Sequence, residues 1–254
     1  MLLIKTQRDT LLSPLQSVSG IVEKRHTLPI LSNVLLEKKG DALTFLATDI
    51  EIQITTSAAA EGGEGDGAVT VGARKLQDIL RSLPEGTEVS LVLEEKRLLV
   101  RGGKSRFTLQ TLPADDFPRM AIGNDDAKRF SVTQKQFRQL LAQTQYAMAA
   151  QDVRYYLNGL LLLTEGKELR AVATDGHRLA FASMEIEAEL PRQELILPRK
   201  TVLELNRLLA DSDDALEITL SANQVRFAFG NVVLVSKLID GKFPDYERVI
   251  PATL

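Results

Sequence analysis

The sequence of 254 residues contains no cysteine and only two histidines, His26 and His177. Without cysteine the chain has no disulfide, no thiolate zinc site, no iron–sulfur cluster and no cysteine nucleophile. Two histidines leave few candidates for a metal site or a catalytic triad. The composition therefore disfavours much enzyme chemistry, and it names no function.

Long hydrophobic runs are also missing, because no apolar stretch approaches the roughly 18 residues that a membrane helix needs. The N-terminal MLLIKTQRD becomes polar too early for a signal peptide. The mean hydropathy of -0.04 and the charged fraction of 26% are typical of globular proteins, and the net charge of -3 argues against a general polycation that coats nucleic acid. We expect a cytoplasmic protein of two modest domains, with no membrane association.

The chain repeats itself at an offset of 126 residues. This offset aligns LSNVLL from Leu31 with LNGLLL from Leu157, ATD at 47 with ATD at 173, and LPADDFP from Leu112 with LIDGKFP from Leu238. Three anchors at one offset predict two copies of one fold. The polar stretch MAIGNDDAKR, around 120–129, marks the boundary between them.

Each copy has two predicted helices. In the first helix the apolar positions Leu11, Leu15, Val18 and Val22 correspond to Phe137, Leu141, Thr144 and Met148. Thr6 with Asp9 and Thr133 with Gln136 predict a capping box in each copy. In the second helix, Leu76, Ile79 and Leu83 correspond to Val202, Leu205 and Leu209.

The remaining apolar and β-branched segments predict strands, so each copy is α+β. The predicted strands are 42–48, 50–57, 89–93, 97–101 and 105–111 in the first copy, and 168–174, 178–184, 215–220, 224–229 and 232–238 in the second.

An Arg-Lys pair stands before the second helix of each copy, as Arg74-Lys75 and Arg199-Lys200. Cations at a helix N-terminus oppose the macrodipole by a few tenths to about 1 kcal/mol each. A cost present in both copies suggests an external anion, for which phosphate is the natural candidate. An equally good interpretation is an ordinary solvated helix start whose side-chain stems cover apolar surface.

Three short motifs invite functional interpretations. GGKS at 102–105 lacks the first glycine of a phosphate-binding loop and has strand-like flanks, so it predicts a β-turn. TDGH at 174–177 places Asp175 beside His177, but without a nucleophile it is better interpreted as a hairpin turn. QDVRYY at 151–156 suits contact with nucleic acid, although a turn with one buried tyrosine is the favoured local interpretation.

At this level of detail the sequence resembles the bacterial sliding clamp, the β subunit of DNA polymerase III. The motifs that carry the resemblance are TLPILSN, QDVRYYLNG, ATDGHRLA, LPRK and SKLIDGKFPDY, and they follow the family order from Met1 to Leu254. The resemblance implies repeated α+β clamp domains, each with two helices packed on antiparallel sheets, with the helices inside a ring and the sheets outside. Domain 1 would span 1–122, domain 2 would span 128–249, and 250–254 would begin a linker to a third domain that this sequence does not contain.

The function implied by the resemblance is that of a processivity factor without catalytic activity, metal or cofactor. Such a clamp encircles duplex DNA without reading its sequence, and it tethers the polymerase III catalytic subunit, the clamp loader and repair proteins through linear peptides. The full-length family forms a head-to-tail homodimeric ring, which we expect this two-repeat chain not to close.

The resemblance also assigns three sets of residues. The residues facing DNA would be Arg25, Arg74, Gln151, Tyr155, Tyr156, Arg199 and Lys200. The peptide groove would comprise Leu157, Thr174, Gly176, His177, Arg178, Leu179, Pro244, Arg248 and Val249. The ring interface would comprise Lys75, Ile79, Leu83, Lys104, Arg106, Phe107 and Leu109.

Two other functions remain open on the residues alone. One is a peptide-binding adaptor that does not encircle DNA, favoured by the specialised TDGHRLA turn. The other is a small hydrolase that uses Asp175 and His177. A salt-dependent affinity for DNA would separate the clamp from the adaptor, and loss of turnover in a His177→Ala variant would indicate the hydrolase.

Overall fold

The computed structural model describes residues 1–23, 28–59, 63–121 and 127–250. Its contacts divide the chain into two compact units, Met1–Ile122 with Ala228–Val235, and Gly123–Phe227 with Ser236–Leu254. Each unit combines two α-helices with antiparallel strands. The predicted α+β class is therefore confirmed.

The first unit is an eight-stranded antiparallel sheet with two helices. The strands follow the order β1-β6-β7-β8-β5-β2-β3-β4, and the helix α1 packs against α2, β3 and β4. The elements are β1 (Leu2–Gln7), α1 (Arg8–Ser19), β2 (Asn33–Lys39), β3 (Ala42–Thr48), β4 (Ile52–Ala59), β5 (Gly67–Gly72), α2 (Ala73–Ser82), β6 (Glu88–Glu94), β7 (Arg97–Gly102) and β8 (Ser105–Leu112).

The second unit contains a long two-stranded hairpin, β10-β11, and the strand sequence β14-β13-β12-β9. The tip of the β13-β14 hairpin, 228–235, groups with the first unit. The elements are β9 (Lys128–Thr133), α3 (Gln134–Ala142), β10 (Gly159–Thr174), β11 (Leu179–Pro198), α4 (Arg199–Leu208), β12 (Ala215–Leu220), β13 (Gln224–Phe229) and β14 (Val232–Lys237).

The predicted helices are present, but each of their apolar stripes needs correction. The helix α1 ends at Ser19, before Val22, and α2 and α4 end just before Leu83 and Leu209. The helix α3 ends at Ala142, so Thr144 and Met148 lie beyond it. The Thr144 hydroxyl donates to the carbonyls of Leu140 and Leu141, and the chain continues as a 3₁₀ helix, Gln145–Ala147. In α2, Leu80 rather than Ile79 is buried with Leu76.

The capping box prediction is right in the second copy and wrong in the first. The Thr133 hydroxyl accepts from the Gln136 backbone N–H, and the Gln136 side chain accepts from the Thr133 backbone N–H. In the first copy the N-cap is Gln7, which makes no side-chain cap hydrogen bond. Asp9 is held by the neighbouring Arg8 guanidinium instead, so its carboxylate does not reach back to Thr6.

All ten predicted strands exist, and four further strands escape the sequence pattern. The missed strands are β1, β2, β5 and β9. The strands β10 and β11 extend to 16 and 20 residues, well beyond the predicted 168–174 and 178–184. β10 begins with the continuous apolar run GLLLL, buried on both faces, which lacks the alternation that marks a half-buried strand.

The turns at 48–52 and 174–178 have the same hydrogen bonds in both units. The hydroxyl of Thr48 donates to the Ile52 carbonyl at 2.9 Å, and that of Thr174 donates to the Arg178 carbonyl at 2.7 Å. The residues two positions after each threonine, Ile50 and Gly176, have φ of 71° and 88°. The predicted hairpin turn at TDGH is confirmed, and so is the turn at GGKS, where Gly102 pairs with Ser105.

Candidate functional site

A groove in the second unit encloses about 440 Å³ between the β10-β11 turn and the segment 244–249. Its floor includes Leu157, which is 1% exposed, and its rim includes Val249, which is 67% exposed. An apolar floor with a few polar rim groups is suited to anchoring an apolar side chain of a peptide.

The structure brings eight of the nine predicted groove residues to this cavity. They are Leu157, Thr174, Gly176, His177, Arg178, Leu179, Pro244 and Val249. Arg248 is not among the lining residues, and its guanidinium pairs with the Asp245 carboxylate at 2.6 Å on the surface. The groove is also lined by Arg154, Asp245 and Tyr246, which are not among the predicted groove residues. It is lined by Tyr156 as well, which the family resemblance assigns to the residues facing DNA.

The rim of the groove is the turn Asp175–Arg178, which is held by side chains. Asp175 Oδ1 accepts from the backbone N–H groups of His177 and Arg178, at 3.0 and 3.1 Å. These bonds, with the Arg178 guanidinium, lower the pKa of the Asp175 carboxyl. The carboxylate is thus engaged in shaping the turn, and the acid/base interpretation of Asp175 with His177 has no support in this geometry.

Arg154 connects the QDVRYY segment to this turn. Its Nε and Nη2 atoms donate to the Asp152 carboxylate at 3.0 and 2.8 Å, and Nη2 lies 3.4 Å from the Asp175 carbonyl oxygen. The hydrogen bonds from Arg154 lower the pKa of Asp152 to about 2. A side chain at Gly176 would place its Cβ 3.0 Å from the Arg154 guanidinium, so the glycine provides the space that the arginine occupies.

The signal for the missed residues lies partly in the sequence. Arg154 stands two residues after Asp152, and this spacing allows a local ion pair. Little in the local sequence indicates Tyr246, because its ring packs against Leu161 and Val172, which are distant in the sequence, as well as against nearby Phe243.

Arg74 and Arg199 occupy matching positions in the two units. The Arg74 guanidinium donates to the Val22 carbonyl at 3.0 Å, and the Arg199 guanidinium donates to the Met148 carbonyl at 3.1 Å. Arg74 is exposed, whereas Arg199 and Lys200 are half-buried at the start of α4. Both pairs belong to their helices rather than preceding them.

The other predicted DNA-facing residues of the second unit lie on one segment. Gln151 is exposed, Tyr155 is 59% exposed, and the Tyr155 and Tyr156 rings meet edge to face at 5.8 Å. Tyr156 is partly buried against the core beside the groove. This agrees with the interpretation of QDVRYY as a turn with one buried tyrosine. Arg25 lies outside the described residues.

The predicted ring-interface residues lie on α2 and β8, except Leu83, which directly follows α2, and Lys104, which lies in the turn before β8. β8 pairs with β7 from Ser105, opposite Gly102, to Gln110, opposite Arg97. It pairs with β5 only at Thr111 and Leu112. Within the described residues, no strand pairs with the second edge of β8 between Ser105 and Gln110. Leu83 and Leu109 are buried, Ile79 and Phe107 are half-buried, and Lys75, Lys104 and Arg106 are exposed.

No group of three or more His, Cys, Asp or Glu in the described ranges is placed to hold a metal ion. None of the helices in those ranges is long and apolar enough to cross a membrane.

Two copies of one α+β unit, each with paired helices against an antiparallel sheet, define a protein of the DNA-clamp fold class. Comparisons with known proteins agree. Residues 2–121 match the family model described as DNA polymerase III beta subunit, N-terminal domain, and residues 131–245 match its central domain. The chain belongs to the bacterial beta sliding clamp family.

Curated relatives are similar over nearly the whole chain. The beta sliding clamps of Pseudomonas aeruginosa and Escherichia coli K12 are 50% and 49% identical to it, over 96% of this chain and 67% of each relative. The chain therefore spans about two thirds of their length.

Solved structures give the same result. A P. aeruginosa sliding clamp bound to griselimycin has a TM-score of 0.93 at 49% identity, covering 98% of this chain and 68% of that one. The Caulobacter crescentus pol III beta has a TM-score of 0.91 at 42% identity, covering 98% and 69%. Beta sliding clamps are non-catalytic processivity subunits of DNA polymerase III, and the family binds DNA and polymerase partners.

Proposed function

We propose that this chain supplies the first two domains of a cytoplasmic clamp that encircles duplex DNA as part of a head-to-tail homodimeric ring. The domain limits are 1–122 and 128–249, supported by the family matches at 2–121 and 131–245. The grouping of 228–235 with the first unit departs from these limits. In this proposal the helices face the DNA and the sheets face outward.

Contact with DNA rests on cations from matching helices. Arg74 and Arg199 each use one N–H group on a backbone carbonyl, and a guanidinium carries five N–H donors, so others are left to meet a phosphate. Lys200, Gln151, Tyr155 and Tyr156 join them in the second unit, with Arg25 in the first. Contacts to the phosphate backbone attach a protein without reading bases, which is what sliding requires.

Ring closure rests on the open edge of β8 with the adjoining α2. The edge of β8 that faces away from β7 at 105–110 offers hydrogen bonds to a strand of another subunit, and exposed Lys104 and Arg106 favour an acidic partner surface. Half-buried Phe107 and Ile79 supply apolar area beside this edge.

Partner peptides bind in the groove of the second unit. The single observation that carries this part of the proposal is the convergence of eight predicted residues on one cavity of about 440 Å³. The polymerase catalytic subunit, the clamp loader and repair proteins are the partners that we propose for it.

The test of DNA binding is the affinity of the chain for a labelled 30-base-pair duplex, measured against salt concentration. Loss of one phosphate contact lowers the slope of log K against log salt by about 0.9. We expect Arg74→Ala and Arg199→Ala each to reduce the slope by about this amount. The matched control is Arg226→Ala, whose guanidinium pairs with Glu217 on β12. Equal slopes for all four proteins would contradict the proposal.

The test of ligand binding to the groove uses griselimycin, which is bound to a related clamp in a solved structure. We expect calorimetry to show binding to this chain, and we expect His177→Ala and Leu179→Ala to weaken it. The control is Glu51→Ala, at the position in the first unit that corresponds to His177. Binding that none of these changes affects would exclude this groove.

A further inference from the structure

One wall of the groove is the 3₁₀ helix Tyr246–Val249, four residues long. A segment this short makes few hydrogen bonds of its own, so its position depends on what the rest of the unit offers it. The inference below rests on the proposed peptide-binding function of this groove.

Arg170 lies behind this wall, on β10. Its guanidinium is 2.7 Å from the Glu168 carboxylate, 3.7 Å from that of Glu165 and 3.6 Å from that of Glu247. The side chain is only 22% exposed, so solvent screens these interactions less than it screens a surface pair. Glu247 is the one acid of the three that belongs to the wall.

Arg170 also adjoins the residue before Glu247. Tyr246 is 5% exposed, packs among Leu161, Val172 and Phe243, and meets the Phe181 ring at 6.0 Å. Its buried hydroxyl has no hydrogen-bond partner among the described residues. The pKa of the Arg170 guanidinium is raised, chiefly by the Glu168 hydrogen bond and to a smaller extent by the Tyr246 phenol. Within the wall, the direct contact of Arg170 is its 3.6 Å ion pair with Glu247, the residue after Tyr246.

Arg170 is a counter-ion for carboxylates on both β10 and the 3₁₀ helix. Without it, the carboxylates of Glu168 on β10 and Glu247 on the wall would lose the cation that both face, and their like charges would repel each other. Arg192 neutralises Glu165 and Glu194, but no ion pair joins it to Glu247 in the described structure. Arg170 is thus the cation that links strand and wall.

We propose that Arg170 is a positioning residue of the groove: it attaches the 3₁₀ helix Tyr246–Val249 to β10, and so sets the groove width at Val249 for a bound peptide. Arg170 does not line the cavity, so its effect on the peptide passes through Tyr246 and Glu247.

The experiment measures griselimycin affinity by calorimetry for the 254-residue chain and its variants. We expect Arg170→Met to weaken binding about fivefold, a loss of the size found for partly buried ion pairs in a network. Arg170→Lys keeps the charge without the guanidinium fork, so its affinity should lie between those of the wild type and Arg170→Met. The matched control is Arg226→Met, because Arg226 is 26% exposed and pairs with one glutamate away from the groove.

Rescue separates positioning from a general loss of folding. In the Arg170→Met chain, Glu247→Gln removes the repulsion at the wall, so the double variant should recover at least half of the lost binding free energy. If Arg170→Met fails to fold, Arg170→Lys and Glu247→Gln alone carry the test, and both should weaken binding about twofold.

The outcomes distinguish this inference from the proposed function. If His177→Ala weakens binding while the Arg170 and Glu247 variants leave it unchanged, the positioning role is overturned and the groove stands. If none of these variants changes the affinity, the assignment of the groove itself fails. An affinity loss at Arg170→Met that Glu247→Gln does not relieve also overturns the positioning role.

Discussion

The Arg199 guanidinium donates a hydrogen bond of 3.1 Å to the carbonyl oxygen of Met148, where the first helical region of the second unit ends. Arg74 makes the same bond to Val22 in the first unit, and Val22 and Met148 are equivalent in the 126-residue repeat. Both arginines therefore have an internal acceptor. The cations at these helix starts, for which an external anion is one interpretation, are thus in part explained by the fold itself.

This relationship predicts that Arg199 contributes to stability as well as to DNA binding. We expect Arg199→Lys to lower the free energy of unfolding by about 1 kcal/mol, the usual net value of one hydrogen bond, while retaining most of the salt dependence of DNA binding. Urea unfolding and the duplex titration measure the two effects on one protein. A stability equal to that of the wild type would show that the bond to Met148 contributes nothing.

The backbone at Ile50 predicts a stabilising substitution. Ile50 has φ of 71°, a left-handed conformation that a β-branched residue adopts at a cost of roughly 1–2 kcal/mol, and glycine stands at the equivalent position 176. Because glycine also raises the entropy of the unfolded chain, we expect Ile50→Gly to gain about 0.5–1 kcal/mol. Thermal unfolding measures the gain, and Glu51→Gly, without a positive φ, should give no such increase.

The helix caps predict unequal effects for two threonines that look alike in the sequence. Thr133→Ala removes a formed capping box and should cost about 1 kcal/mol. Thr6 does not cap α1, since the N-cap residue is Gln7, so Thr6→Ala should cost less. Comparing the two variants by urea unfolding tests this difference, and equal losses would show that the cap at Thr133 has no special value.

The paired turns allow the groove rim to be tested against its own internal copy. Thr174→Val removes the hydroxyl that donates to the Arg178 carbonyl and accepts from the Gly176 N–H, so we expect weaker griselimycin binding. Thr48→Val removes the same two bonds in the first unit. We expect Thr48→Val to lower stability by about as much as Thr174→Val does, but to leave griselimycin affinity unchanged. If Thr48→Val weakened binding as much as Thr174→Val, a local role of the rim would be contradicted.

The acid sensitivity of the second unit should depend on Asp152. Its pKa of about 2 lies below the ordinary value of 3.8, because Arg154 hydrogen bonds favour the carboxylate. A carboxyl whose pKa is lower in the folded than in the unfolded chain stabilises the fold at pH values above the unfolded pKa. This stabilisation is lost as the pH falls through the folded pKa. We expect stability to decline between pH 4 and 2, and Asp152→Asn to flatten that decline when acid unfolding is followed by circular dichroism.

Much of the secondary structure could be predicted because its signals are local. The turn at Asp175–Arg178, the cap at Thr133 and the strand at Ala215–Leu220 each follow from a few adjacent residues. β2 and β5 escaped because their side chains are buried in the sheet without alternating regularly with polar residues. The early end of α3 escaped because Thr144 and Met148 remain buried beyond it and so continue the pattern of the helix.

The sequence by itself determined that the chain is a twofold repeat of an α+β unit, because apolar spacing, caps and turn residues act over short distances and recur at one offset. Only the tertiary structure decided that Arg154 and Tyr246 line the groove, that Arg170 pairs with Glu247, that Arg248 pairs at the surface, and that Arg74 and Arg199 bind carbonyls of their own units. The bonds of Arg74, Arg199 and Arg170 join residues more than 50 positions apart in the chain, so no local pattern encodes them. They form when the packed core brings the elements together.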